Sequence, residues 1–282
     1  MSLVLVTGAA GNVGSRVVRR LAARGVAVRA FVRPSDPKPT AAGVEAFEGD
    51  LADRERVRTA MKGVSKVYLL TAGTNGAALE ANVIDAAAAE KVKHLVKHSV
   101  QGAQYEAAII PKAHRSSEKR VEASGVPWTF LRPGSFASNA LGWAGMLKGG
   151  DTVYGPFGEA SLAVIDPEDI AAVAEKVLTE SGHEGKAYDL TGPETLTTAQ
   201  QVAIVGKVLG RKLAYVNVPD EAARKSMVDA GMPPDYADAM IDLVKMLRGL
   251  GRIEPDPTLG KLLGRAPSTF EAFIQANAAA FR

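Results

Sequence analysis

The apolar positions fall into short runs and helical faces that alternate from the first residues onward. Leu3–Val6 is an unbroken apolar run and predicts a strand. Behind it, Val13, Val17, Val18, Leu21 and Ala22 recur at helical spacing, with Arg16, Arg19, Arg20 and Arg24 on the opposite face. Gly25 stops that helix. "VAVRAFVR" (Val26–Arg33) predicts a second strand and "GVEAFEGD" (Gly43–Asp50) a third. A helix over Asp53–Met61, a strand over Lys66–Leu70 and an alanine-rich helix over Ala77–Glu90 follow. Next come the strand "HLVKHS", a helix over Lys112–Ser124 and the strand "WTFLR" (Trp128–Arg132). Strands alternating with helices imply parallel pairing through helical crossovers, hence a doubly wound α/β sheet.

Beyond Pro133 the rhythm changes. "GSFASNALGWAGMLKGG" is glycine-rich and aromatic, and reads as a mobile flap rather than a regular element. A helix opens at "DPED" (Asp166–Asp169), with Asp166 as cap and Pro167 in its first turn. The strand "AYDLTG" precedes "TTAQ" (Thr197–Gln200), a capping box that opens a helix to Leu209. The remainder is mostly helical, broken at "GMPP" and "EPDP". The division that results is a nucleotide-binding domain over 1–134 and a smaller α+β part over 135–282, partly interleaved with it.

Composition narrows the chemistry. The chain has 282 residues and no cysteine, which excludes disulfides, thiolate metal sites and cysteine nucleophiles. Its 34 basic and 31 acidic residues are mixed along the chain, leaving no stripe for nucleic acid. No apolar run reaches the length of about 18 residues that a membrane span needs. The first strand begins at once, with no room for a signal peptide, so a cytoplasmic setting is expected. His94 and His98 have a metal-ligand spacing, but they lie in a core-bound strand and are not read as ligands.

"TGAAGNVG" (Thr7–Gly14) sits between the first strand and the first helix. In that context the three glycines read as a cradle for a dinucleotide pyrophosphate, a structural glycine turn without ligand being the other reading. Gly8 turns the chain, Gly11 admits a phosphate to the backbone, and Gly14 lets the helix pack closely on the sheet. The residues in position to bind are Thr7, Gly8, Ala10, Gly11, Asn12, Val13 and Gly14, with helix N–H groups facing the anion. An NAD site places an acid about 20 residues past the glycines, on the ribose hydroxyls. Here "FVRPSD" puts Arg33 at the strand tip, where it would clamp a 2′-phosphate or simply lie in solvent. The clamp reading selects NADP(H) over NAD(H). Asp50 in "EGDL" would accept from the adenine amino group, with Leu51 on the ring; a turn cap is the other reading of Asp50. Thr71, Ala72 and Gly73, past the fourth strand, would line the middle of the cofactor.

"TGAAGNVG", "FVRP", "EGDL", "SGVPWTFLRPGSF" (Ser124–Phe136), "VIDPEDIAAVA" (Val164–Ala174) and "YDLTGPETLT" (Tyr188–Thr197) occur in one order through nearly the whole chain. As a set they resemble the NmrA-like, atypical branch of the short-chain dehydrogenases. Within it, "IIPKAHRSSEKRVEASGVPWTFLR" is most similar to bacterial NAD(P)H-quinone and triphenylmethane-dye reductases. The resemblance implies a Rossmann domain, a small substrate domain, and nicotinamide and substrate held between them.

The resemblance also exposes a departure. The superfamily's Tyr-x-x-x-Lys pair moves the proton, its lysine lying four residues before a helix glutamate. Counting back from Glu118 puts His114 at the lysine place and Ile110 at the tyrosine place, and isoleucine transfers no proton. Two readings stand. One is a reductase whose acceptor needs little acid help. Hydride addition to a quinone makes a phenolate-like anion of pKa about 10, far milder than an alkoxide. His114 would then steer the acceptor or donate a proton near neutral pH, and Ser99 would add a hydrogen bond; for His114 a capping or packing role is the alternative. The other reading is an NADP(H)-responsive regulator, as the NmrA-like resemblance also allows. Sugar-nucleotide epimerases, which need the tyrosine, fit less well. Phe136, Leu141, Trp143 and Met146 offer an apolar, aromatic surface for flat substrates, or core packing beneath a loop, and Asn139 would orient that flap beside the substrate. The partners expected are a small-molecule substrate and a second copy of the chain in a homodimer, with no nucleic acid and no membrane.

Overall fold

The structure is a computed structural model that describes residues 2–71, 73 and 75–282. The chain forms two compact units: Met1–Glu106 with Pro111–Pro133 and Pro167–Asp189, and Ala107–Ile110 with Gly134–Asp166 and Leu190–Arg282. The elements of the first stretch are β1 (Leu3–Val6), α1 (Asn12–Ala23), β2 (Ala27–Val32), β3 (Val44–Glu48), α2 (Arg54–Met61), β4 (Lys66–Leu69), α3 (Gly76–Ala89), β5 (His94–His98), α4 (Ile109–Ala123) and β6 (Trp128–Pro133). After α5 (Ala144–Gly149), β7 (Thr152–Gly155) and β8 (Ser161–Ala163), the chain returns through α6 (Pro167–Thr179) and β9 (Lys186–Leu190).

The first unit is a seven-stranded sheet in the order β3-β2-β1-β4-β5-β6-β9. Its pairings are parallel, β1 on β2 starting at Leu3 opposite Ala27 and β1 on β4 at Val4 opposite Lys66. At the far edge, Gly185 N–H bonds Trp128 O and Gly134 N–H bonds Leu190 O, so β9 runs with β6. The strand order reverses between β1 and β4, and in such a sheet ligands bind beyond the strand ends at that switch point. Leu5, Val67, Leu69, Leu95 and Phe130 build the core on one face with Val57, Met61, Val83 and Ile84 from α2 and α3.

The arginine face of α1 is paired with acids of α6. Arg19 Nη2 and Arg20 Nη1 reach Glu168 at 2.6 and 2.9 Å, and Arg20 Nε reaches Glu175 at 2.6 Å, tying α1 to α6. The acids that pair with it lie about 150 residues away in sequence, beyond the reach of local spacing.

The second unit continues with β10 (Thr195–Thr197), α7 (Thr198–Leu209), β11 (Ala214–Asn217), α8 (Asp220–Asp229), α9 (Pro234–Leu250), α10 (Thr258–Leu263) and α11 (Phe270–Ala276). Its small sheets pair β8 antiparallel with β10 and β7 parallel with β11. The Thr197 side chain accepts from Gln200 N–H while Gln200 Oε1 accepts from Thr197 N–H, the reciprocal box the sequence predicts. The expected flap is regular instead. A 3-10 helix over Ala137–Trp143 runs into α5, and Ala137, Ala140 and Leu147 are buried in this unit's core. Small residues at short spacing let the segment wind tightly and bury one side, which the glycine count obscured.

Candidate functional site

The glycine loop leaves β1 through Thr7, whose hydroxyl donates to Leu70 O and accepts from Leu70 N–H, both at 2.8 Å. That clasp fixes the end of β1 against the end of β4. Gly8 turns at φ +60°, and a Cβ there would stand 3.0 Å from Leu70 O. Gly11 caps α1 and donates its N–H to Gly8 O at 2.9 Å. A Cβ on Gly14 would lie 2.1 Å from Gly8 O and 2.7 Å from Gly8 C. The third glycine therefore serves the packing of the helix's first turn on the loop backbone, not on the sheet as expected. The α1 ladder begins with Ser15 N–H to Gly11 O, and the first turn carries no acidic residue that would repel an anion. These features fit a pyrophosphate: a loop held too close for side chains, at the amino end of a helix.

Beside this loop lies a pocket of about 330 Å³ lined by Gly8, Ala10, Gly11, Phe31, Arg33, Asp36, Pro37, Gly49, Asp50, Leu51, Leu70, Thr71 and Leu79. It brings together seven of the residues singled out by sequence: Gly8, Ala10, Gly11, Arg33, Asp50, Leu51 and Thr71. Thr7 and Val13 are buried in support of the loop. Asn12 and Gly14 form the first turn of α1, and the Asn12 carbonyl and side-chain oxygen both accept from Arg16. Gly73 follows β4 at φ +93° and is not among the lining residues; Ala72 lies outside the described residues. Asp50 caps its turn, Oδ1 accepting from Ala52 N–H at 2.9 Å, and the residue also lines the pocket.

Arg33 stands at the pocket rim with its side chain 73% exposed. Its guanidinium is bound to Asp36, Nη2 to Oδ1 at 2.8 Å and Nε to Oδ2 at 3.1 Å. That bond holds the Asp36 carboxyl below its ordinary pKa. Sequence reasoning passed over Asp36, although it closes the quoted "FVRPSD"; the signal was an acid one turn beyond the strand instead of on it.

A second constellation lies where β5 meets α3 and α4. Lys97 is fully buried, and its Nζ donates to both Glu80 oxygens at 2.8 and 2.7 Å. Glu80 also accepts from the Thr71 hydroxyl at 2.8 Å, linking this pair to the pocket. Lys97 and Ser117 hold the buried Glu80 carboxyl below its usual pKa against the cost of burial. Ser99 donates to Glu118 at 2.7 Å, and Arg132 grips the same carboxylate at 2.9 and 2.7 Å. The Ser99 proton is thus already engaged, leaving its oxygen as an acceptor.

His114, on α4, is flanked by Lys97, Glu80 and Glu118. Burial and then the Lys97 ammonium push its pKa down to about 4, outweighing the two carboxylates. Its Nδ1 is buried with no hydrogen-bond partner among the described residues. At neutral pH it is a neutral ring, so the expected proton donation near pH 7 does not hold; it can offer an N–H hydrogen bond. Ile110 lies one turn earlier on the same helix. His94 and His98 are buried in β5, bonded to Thr129 at 2.9 Å and Tyr68 at 2.8 Å, and no metal-binding cluster exists among the described residues.

In the second unit, Phe136 pairs as an isolated bridge with Ile165, and Trp143 and Leu141 pack against the core. Asn139 is exposed, its N–H bonded to Phe136 O at 3.1 Å. Met146 Sδ accepts from Tyr154 N–H at 3.4 Å.

The sequence profile of the NmrA-like family matches residues 1–274. The chain belongs to that family. This NmrA-like protein is 38% identical over 281 residues to a (4-alkanoyl-5-oxo-2,5-dihydrofuran-3-yl)methyl phosphate reductase of Streptomyces griseus, covering 99% of each chain. It is 35% identical over 289 residues to an NAD(P)H azoreductase of Xenophilus azovorans, again covering 99% of each. Among solved structures, the NADPH complex of an Escherichia coli quinone oxidoreductase superposes with a TM-score of 0.84 at 27% identity, over 98% of this chain and 99% of that one. The NmrA-like resemblance read from the motifs is confirmed, as is the Rossmann-type sheet. Of the two functional readings, these relatives stand on the side of the enzyme.

Proposed function

We propose that the chain is a reductase that prefers NADP(H) and passes a hydride to a quinone-like or conjugated small-molecule acceptor. The glycine-loop pocket rimmed by Arg33 carries this reading, supported by the reductase relatives. Gly8, Gly11 and the first turn of α1 would hold the pyrophosphate, Arg33 the 2′-phosphate, and Asp50 and Leu51 the adenine. A cofactor held by these residues would supply the hydride from its dihydronicotinamide.

The protein's own groups favour an acceptor that needs little acid. Lys97 is locked on Glu80, Ser99 on Glu118, and His114 is neutral. A neutral imidazole orients an acceptor oxygen by one hydrogen bond, and a quinone or conjugated carbonyl spreads the incoming negative charge without a strong acid beside it. Phe136, Asn139 and Trp143 are assigned to the acceptor on the second unit. A cytoplasmic setting and a homodimer complete the reading; light scattering of the purified protein tests the latter.

The experiment is NADPH consumption, followed by its absorbance, against a panel of quinones and conjugated carbonyls. Turnover that falls at least about tenfold in His114→Ala, and reversal of the NADPH preference in Arg33→Ala, are the expected results. Tight NADPH binding with no turnover of any acceptor would return the regulator reading.

A further inference from the structure

The charged lining of the cofactor pocket is unbalanced for a phosphate. Among the described residues that line it, Arg33 is the one cation, and Asp36 and Asp50 are the two anions. Asp36 is also fixed in place. Asp36 N–H bonds Arg33 O at 3.0 Å, closing a four-residue turn, and the carboxylate accepts back from Arg33 N–H at 3.0 Å. Pro34 stands at the second position of this turn, where its ring presets the backbone, and Pro37 follows it. The Asp36 side chain is only 18% exposed. When the Arg33 guanidinium swings away, the backbone amide still holds the carboxylate at the rim.

Two ribose chemistries then compete for one corner. A 2′-phosphate must draw Arg33 off Asp36 and settle beside two uncompensated carboxylates, which oppose it. A 2′-hydroxyl leaves the Arg33–Asp36 pair intact and finds in Asp36 a charged acceptor of the kind NAD sites use. We propose that Asp36 is a specificity-determining residue that accepts the ribose 2′-hydroxyl of NADH and limits the preference for NADPH, so that the enzyme uses both cofactors. The inference rests on the reading that this pocket takes the adenosine half of the cofactor with Arg33 toward the 2′ position.

Calorimetric titration of the full-length protein with NADH and NADPH tests it, because binding is read without any acceptor. In Asp36→Ala, NADH should weaken about five- to tenfold and NADPH should tighten severalfold. Asp36→Asn keeps an oxygen for the Arg33 amide and so preserves the turn. It should also tighten NADPH while weakening NADH less than the alanine variant does. An unchanged NADH affinity in Asp36→Ala overturns the proposal, as does weaker NADPH binding in both variants. Arg33→Ala separates the two readings: if the NADPH-to-NADH affinity ratio stays at the wild-type value there, the Arg33 reading fails, whatever Asp36 does to NADH.

Discussion

The two ends of the first unit's switch point are made by opposite means. At the glycine loop the site is backbone: three missing side chains, one clasp at Thr7, and exposed charges at the rim. Between β5 and α4 it is side chain, with Lys97 paired to Glu80 and Arg132 to Glu118, and with His98 and His114 buried beside them as neutral rings. A backbone site gains affinity from shape, and a change of one exposed rim charge leaves the fold in place. A buried charge cluster depends on every partner, because each unpaired ion is stranded away from water.

The sharpest break of that contrast is Lys97→Met. It leaves the Glu80 carboxylate buried and unpaired, and should cost about 3–5 kcal/mol of stability, read from urea denaturation. Adding Glu80→Leu should recover most of the loss, since replacing both partners by apolar groups is often neutral. A single variant as stable as the parent would mean that the pair is not buried in solution.

Legibility follows the same divide. The glycine spacing, the strand before it and the periodic helix after it are local, so the cradle and the parallel sheet were readable. Arg33 was readable for the same reason, being one strand beyond the motif. Lys97 and Glu80 were not: "VKHLVKHS" alternates no polar residue outward, and only the fold reveals that the lysine of a buried strand meets an acid on α3. Glu168 and Glu175 opposite the α1 arginines were hidden by sequence distance in the same way. Asp36 was hidden by expectation, since an arginine at the strand tip drew attention from the acid three residues on.

Gly14→Ala is the next largest break, now at the backbone end. The new Cβ would need the space of Gly8 O, 2.1 Å away, so the loop or helix must shift. A loss of about 1–3 kcal/mol is expected, with weaker NADPH binding in the same titration. Gly145→Ala, in α5 with nothing within 4 Å of the added Cβ, is the matched control and should be neutral or stabilise by up to about 1 kcal/mol. Equal effects at both glycines would deny the close approach.

The buried end should also be the acid-sensitive one. Burial pushes the pKa of His98 down to about 3 and those of His94 and His114 to about 4. Unfolded histidines protonate near pH 6.5, so these rings give their full stability above that pH. Acidification then removes it at about 1.4 kcal/mol per pH unit for each fully shifted ring, down to its folded pKa. Glu80 and Glu118 have lowered pKa values, so their share is kept until below about pH 4.5. The melting temperature should therefore start to fall near pH 6.5, before the share of Glu80 and Glu118 is lost. A flat profile down to about pH 5 would show that the histidines are hydrated.

The smallest effect is the most discriminating for the comparison. Arg33 and Asp36 form a close ion pair, yet the arginine side chain is 73% exposed and its charge stays in water. Pairs of that kind contribute about 0–1 kcal/mol, because solvent screening and side-chain entropy cancel most of the attraction. Arg33→Ala should therefore leave the urea midpoint almost unmoved while it removes the preference for NADPH. Lys97 and Arg33 are both basic residues bound to a carboxylate at 2.8 Å or less. Only the buried one should hold the fold, and the exposed one, on the proposed reading, would exchange its carboxylate for a phosphate.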